Sequence, residues 1–246
     1  MLVVANGAFK SGSTWLFNIA RSITQYPPPP EPYLNPEWVN PSVHPDELQA
    51  LLTEESLVEA DYLVKNHFGA RDKRDLLLKH EHVRVLNIKR DLRDVVVSAY
   101  YHYRREEGYE VPFERYYWTR GRYVAERVRE YHDVWDVPST QVYVASFKAL
   151  KESFPEECRR IGEFLGYDLS NTQIQDVKDN TSIKSLRESY DNDGFFRKGE
   201  RGDWKNYLTH RMAEDVSRIS SRTSTESFSL DYWIGRARAE LITWTT

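Results

Sequence analysis

A run of small polar residues behind a short apolar segment raises the first chemical question. The chain reads VVANGAFKSGSTW from Val3 to Trp15, with Lys10, Ser11, Gly12, Ser13 and Thr14 in a row. Glycine allows close approach of the backbone to an anion. Amide N–H groups at a helix start point toward that anion, and the serine and threonine hydroxyls add donors. Gly7 and Gly12 have the spacing of a nucleoside-triphosphate loop, G-x-x-x-x-G-K-[ST]. Ser13, however, stands where that loop carries its lysine, and Lys10 precedes the second glycine. Such a loop suits an oxyanion, with its fixed positive charge displaced toward the strand.

Three further stretches could do chemistry. In VKNHF, Lys65 and His67 share a face if the strand continues. A histidine near its ordinary pKa can act as a general base, although an isolated one more often serves packing or the surface. Arg90 closes another strand, and Ser98 lies in the second turn of the helix that follows. Ser98 either turns its hydroxyl toward the ligand edge of a sheet or is simply tolerated in an apolar stripe with Val95 and Ala99. The segment FFRKGERGDWK holds Arg197, Lys198, Arg201 and Lys205 among Gly199 and Gly202. That composition suits a phosphate clamp, although taken alone the segment reads first as an exposed charged loop. Apart from the exposed-looking pair His80 and His82, the remaining histidines show no ligand spacing, so no metal site is expected.

The elements that must position these residues alternate. Leu2–Asn6 reads as a strand, followed by a glycine- and serine-rich loop and a helix over about Thr14 to Ser22. Most of the 11 prolines fall in YPPPPEPYLNPEWVNPSVHP, an extended surface connector or lid. A helix over PDELQALLTEESL, strands over ADYLVKNHF and HVRVLNIKRD, and a helix over DLRDVVVSAYYHYRREEG follow, the last opened by Asp91 and Asp94. Further on come a charged amphipathic helix (TRGRYVAERVREYHDVWD), a fourth strand (TQVYVASF) and a helix closed by Gly166. An interrupted helix over TQIQDVKDNTSIKSLRESY and a helical tail from Thr209 complete the reading. The pattern predicts an α/β fold: one domain over residues 1–246, a central parallel sheet flanked by helices, and ligands beyond the carboxyl ends of the strands.

Composition agrees and excludes other classes. Of 246 residues, 40% are hydrophobic and 13% aromatic, enough for a packed core. A net charge of -4 argues against a nucleic-acid binder and confines any anion site to local clusters. No apolar run is long enough for a membrane span. The start is strand-like rather than secretory, and the single cysteine, Cys158, fits a reducing compartment, so a cytoplasmic protein is expected.

Taken together, the four stretches resemble the cytosolic-type sulfotransferases that use 3′-phosphoadenosine 5′-phosphosulfate (PAPS). FKSGSTW resembles that family's P-K-S-G-T-T-W loop, with Phe9 for proline and Ser13 for threonine. RDLRDVVVSAYYHY is similar to its R-N-P-K-D-V-x-V-S-x-Y-x-H segment, and KNH to its K-x-H. FFRKGERGDWKN carries its R-K-G-x-x-G-D-W-K signature in full. The resemblance runs from residue 1 to about 209 and implies a P-loop-like nucleotide-binding topology. It also implies that Lys10 stabilises the leaving 3′,5′-bisphosphate (PAP), with Ser11, Gly12, Ser13 and Thr14 on the 5′-phosphate and Trp15 on the adenine. It gives Arg90, Ser98, Arg197, Lys198 and Gly199 to the 3′-phosphate, and Thr181 and Ser182 to the adenine side. His67 becomes the general base and Lys65 the group that orients the transferred sulfuryl. No metal is implied.

Departures bear on the same reading. The family's Y-E-D-L appears as FKAL, so Phe147 lacks a hydroxyl that normally faces the adenine. Vertebrate members carry a segment before the first strand that helps wall the acceptor pocket; a more open pocket is expected here. The family's dimer motif is not visible, and the oligomeric state stays open. The acceptor is expected to be a small molecule with a hydroxyl or an amine, leaning toward a polar natural product such as an alkaloid, with a phenol or steroid as the alternative and Tyr116, Tyr117 and Trp118 as pocket or core residues. The rival readings are a phosphate-loop kinase, disfavoured by Ser13 at the lysine position, and a non-catalytic nucleotide-binding module.

Overall fold

The computed structural model describes residues 1–55, 59–190 and 198–222. Two compact units emerge, each drawn from two stretches: Met1–Arg90 with Val134–Asn192, and Asp91–Asp133 with Asp193–Thr246.

The first unit is built on four parallel strands: β1 (Leu2–Asn6), β2 (Tyr62–Asn66), β3 (Val83–Lys89) and β4 (Val142–Ser146), in the order β2-β1-β3-β4. Ala5 pairs with Lys65 and Leu86, and Asn6 with Asn66, so the ends of β1 and β2 lie side by side. Val3, Ala5, Leu63, Leu86, Ile88 and Ala145 join one core cluster with Leu16, Phe17 and Ile19 of α1 (Ser13–Thr24). Alternation turns Val4, Val64 and Val85 to the opposite face, where they are also buried. Strands buried on both faces lose the clean apolar–polar alternation, and in β3 (VRVLNIK) the alternation of Val83 and Val85 gives way to Leu86 and Ile88 on the other face. Helices α2 (Leu48–Thr53) and α3 (Arg71–Leu78) come before β3. Sequence patterning runs one helix over 45–57, whereas α2 covers Leu48–Thr53 with Glu54 at its C-cap and the last part of that span lies outside the described residues; α3 is missed entirely. In α3 only Leu77 is buried, so the helix has almost no apolar stripe to detect.

The second unit opens with α4 (Leu92–Glu106), whose N-cap Asp91 accepts a bond from the Arg93 N–H, as the sequence suggests. A short helix, α5 (Phe113–Tyr116), runs through a π-helical turn (Tyr117–Gly121) into α6 (Arg122–Val134). Gly121 is needed there: a Cβ would lie 2.9 Å from Tyr116 Cε1 and 3.1 Å from Val96 Cγ1. Tyr116 and Tyr117 are wholly buried, their hydroxyls donating to Val96 O and to the Asp215 carboxylate. They are core residues of this unit.

In the first unit, α7 (Phe147–Glu152) and α8 (Phe154–Leu165) follow β4, and Gly166 closes α8 with φ 87°. The expected interruption separates α9 (Asn171–Asn180) from α10 (Ile183–Ser189). The tail helix, α11, spans His210–Ser221 and is capped by Thr209. Among the described residues no helix is long and apolar enough to cross a membrane.

Candidate active site

β1 delivers the chain into the loop at Gly7. A Cβ on Gly7 would lie 2.8 Å from Ser13 Cβ and 3.0 Å from Ile88 Cγ2, so the loop folds tightly back on the helix it leads into. The Ser11 N–H donates to Ala8 O at 3.1 Å, closing a turn. Two residues of the loop take left-handed backbone: Lys10 at φ 59° and Gly12 at φ 100°. For lysine that conformation costs about 1–3 kcal/mol, which the surrounding contacts must offset. No side chain caps α1. Its first N–H groups, from Gly12 to Trp15, therefore leave the helix start without intrahelical acceptors. The Ser11 hydroxyl is fully buried and has no hydrogen-bond partner. A buried orphan hydroxyl beside an uncapped helix start fits an oxyanion that supplies the missing acceptors.

His67 lies just beyond the end of β2. Its Nδ1 is 2.5 Å from Gly7 O, and its Nε2 is 3.1 Å from Lys65 Nζ. A carbonyl can only accept, so Nδ1 carries the ring proton and Nε2 presents a lone pair, the form a general base needs. Burial lowers the His67 pKa to about 4, helped by the positive charges of Lys65 and Lys10. Burial also lowers Lys65 to about 8. At neutral pH the imidazole is neutral while Lys65 stays largely charged. The backbone beside His67 is held from β1: Asn6 Oδ1 accepts from the Phe68 N–H at 2.9 Å, and Asn6 Nδ2 donates to Phe68 O at 3.3 Å. Trp135 Nε1 donates to the same carbonyl at 2.7 Å. Asn6 is a positioning residue that motif reading misses, because its role lies in a contact 62 positions away.

The proline-rich crossing is pinned along β2, an edge strand of the sheet. The Lys65 N–H donates to Pro41 O at 2.7 Å, the Ser42 hydroxyl donates to Lys65 O, and the Asn66 amide bonds both Val43 N and Val43 O. Covering an edge in this way satisfies backbone groups that would otherwise invite association. The crossing also carries Trp38, 45% exposed, with its ring 5.7 Å from the His67 ring and 6.0 Å from Lys65 Nζ. Reading the segment as a stiff connector omits this aromatic wall beside the base.

Arg90 donates through Nη1 to Lys10 O at 3.1 Å, and its guanidinium lies 4.3 Å from the Phe147 ring centroid. Trp15 is partly buried, edge-on to Phe147 at 5.6 Å and stacked on Phe154 at 6.2 Å, with its indole N–H buried and unpartnered. The Thr181 hydroxyl donates to Val177 O, and the Ser182 hydroxyl caps α10 by accepting from the Ser185 N–H. Ser182 Oγ also lies 2.8 Å from Ser185 Oγ. The structure thus gathers Lys10, Lys65, His67 and Arg90 around the loop of the first unit.

In the second unit, Ser98 is half-buried on α4, Gly199 has φ 60°, and Lys198 Nζ lies 3.1 Å from Asp203 Oδ1. Arg197 lies outside the described residues. The buried Asp94 accepts from the Gly202 and Trp204 N–H groups at 2.8 and 3.2 Å, and Arg93 lies over the Trp204 ring at 4.1 Å. Two consecutive residues of α4 therefore hold the GDWK turn, a role the sequence reading reduces to marking a helix start. Among the described residues no cluster of His, Cys, Asp or Glu could hold a metal ion.

Residues 3–228 match the sulfotransferase domain family model. The chain belongs to that family. Among curated relatives, a flavonol sulfotransferase-like protein of Flaveria bidentis is 27% identical over 164 residues, covering 55% of this chain and 52% of its own. Sulfotransferase 1A1 of Rattus norvegicus is 28% identical over 190 residues, covering 68% of this chain and 64% of its own. The chain thus spans about half to two thirds of the length of these relatives. Among solved structures, mouse sulfotransferase SULT7A1, in complex with PAP, aligns with a TM-score of 0.67 at 17% identity, covering 98% of this chain and 88% of that one. A retinol dehydratase in complex with androsterone and PAP aligns at 0.63 and 18%, covering 92% and 82%. This family fold is the parallel α/β sheet that the sequence predicts.

Proposed function

We propose that this sulfotransferase-family chain moves the sulfuryl group of PAPS to a hydroxyl on a small-molecule acceptor, without a metal. The observation that carries the reading is His67, held by Gly7 O so that its unprotonated Nε2 lies beside Lys65 at the mouth of the phosphate loop. Family membership and the PAP-bound neighbours supply the nucleotide.

In this reading the uncapped start of α1 and the Ser11 hydroxyl bind the 5′-phosphate, and Arg90 takes the 3′-phosphate. Trp15 offers its indole to the adenine. His67 Nε2 accepts the proton as the acceptor oxygen bonds to sulfur, while the bond from sulfur to the bridging phosphate oxygen breaks. Lys10 stabilises the charge that develops on the leaving PAP, and Lys65 holds the sulfuryl oxygens. Bound anions oppose the lysine charges that add to the depression of His67, so the loaded site offsets that part of it while burial, the larger cause, remains.

The acceptor class follows from the base's surroundings. An ammonium has no lone pair to offer sulfur, and an imidazole whose pKa burial lowers is too weak a base to deprotonate it, whereas a neutral hydroxyl can attack as it loses its proton to Nε2. The exposed Trp38 face suits an apolar, planar body next to that hydroxyl. This favours hydroxylated, largely apolar acceptors over protonated alkaloids, and the retinol and androsterone bound by the retinol dehydratase structures are of that kind. The test is transfer from labelled PAPS to matched sets of aromatic alcohols and protonated amines, with and without chelator. Transfer to the neutral alcohols, unchanged by chelator, is expected. Transfer that requires a nucleoside triphosphate and Mg²⁺, or no transfer to any hydroxyl, would overturn the reading.

A further inference from the structure

Phe147 is the position at which this chain lacks a hydroxyl, and its ring is placed under the nucleotide loop. It opens α7, directly after Ser146, which is fixed on both sides. The Ser146 N–H donates to Glu157 Oε1 at 2.8 Å, and its hydroxyl accepts from the Ala149 N–H at 3.3 Å. The ring itself is 5% exposed. Three residues of the proposed nucleotide site meet it. A Cβ on Gly12 would lie 2.8 Å from Phe147 Cδ2 and 3.1 Å from Cε2, so the left-handed glycine rests on the ring. Trp15 packs edge-on at 5.6 Å and 74°. The Arg90 guanidinium carbon lies 4.3 Å from the ring centroid.

We infer that Phe147 is a positioning residue for nucleotide binding: its ring carries the Arg90 guanidinium and supports Gly12, so that both are in place before the ligand arrives. The inference rests on the proposed assignment of Arg90 to the 3′-phosphate. A guanidinium is attracted to an aromatic face by the ring quadrupole, more strongly where water is excluded. One amino group donates to Lys10 O, and the ring adds a restraint on the orientation of the guanidinium plane. A group already oriented loses less freedom when the anion binds, so the affinity gain appears in recognition of the phosphate that Arg90 meets. An aliphatic residue of similar bulk fills the space and gives the cation no face.

The experiment titrates PAP and adenosine 5′-phosphate, which lacks the 3′-phosphate, against the wild type, Phe147→Leu, Phe147→Tyr and Arg90→Ala, and against Phe147→Leu combined with Arg90→Ala. Circular dichroism confirms the fold of each, and Phe147→Met replaces the leucine variant if that one does not fold. The expected result is that Phe147→Leu narrows the preference for PAP by about tenfold. Phe147→Tyr restores the preference, and the leucine change has no further effect on it in the Arg90→Ala background. An equal loss for both ligands, or the same loss with and without Arg90, makes Phe147 a packing residue and overturns the inference. Wild type that fails to prefer PAP, or a preference that Arg90→Ala leaves as wide as in wild type, instead overturns the assignment of Arg90 on which it rests.

Discussion

His67 should make the ligand-free protein acid-sensitive by a calculable amount. Its pKa is lowered from 6.5 to about 4 in the folded chain, first by burial and then by Lys65 and Lys10. Between those values the unfolded chain takes up a proton that the folded chain refuses. Stability therefore rises with pH across this window, is fully present above about pH 6.5, and is lost as the pH falls toward 4. At about 1.36 kcal/mol per unit, the complete loss is about 3 kcal/mol, most of which has gone by pH 4.5. Other groups also titrate there, so the measurement is a comparison. His67→Asn keeps an amide that can donate to Gly7 O and removes the titration. Urea unfolding of both proteins at pH 7 and pH 4.5 should show wild type losing about 2–3 kcal/mol more than the variant. Parallel losses would mean that His67 titrates normally. The argument that the site holds its base neutral by burial and positive charge would then fail.

Lys10→Ala should lower kcat by about 100-fold or more while weakening PAP binding far less, since its charge acts mainly as the leaving group separates; a kcat within a few-fold of wild type would remove it from that role. Trp38→Ala should raise the KM for an aromatic alcohol by about tenfold with little change in PAP affinity, because the indole lies beside His67 and outside the phosphate loop; an unchanged KM would make Trp38 a simple surface residue.

Most of the sheet is legible from sequence because each strand is a short apolar run between turn or helix signals. The bounds of β1 match residue for residue, and β2 and β3 fall inside their expected spans. Asp91 and Thr209 announce helices because N-caps are local chemistry. The helix at Arg71–Leu78 escapes notice because its single buried residue leaves no periodicity. The residues around the loop are legible through spacing: Lys10 sits within the loop itself, and Lys65 and His67 share a short strand end. What surrounds them is not. Asn6 reaches Phe68, Trp38 reaches His67, and Phe147 underlies Gly12, all through contacts between distant segments that leave no mark on local composition. Phe147 is visible in sequence only as a missing hydroxyl, whereas its ring acts in the fold as a platform for a cation.

The central claim is that His67 Nε2 takes the proton from the acceptor while the loop holds the nucleotide. The most direct test is single-turnover transfer from labelled PAPS to an aromatic alcohol by wild type and His67→Asn, with PAP affinity measured on the same preparations. The account predicts a rate at least about 100-fold lower for the variant with PAP affinity nearly unchanged. Equal rates with equal affinity would contradict it.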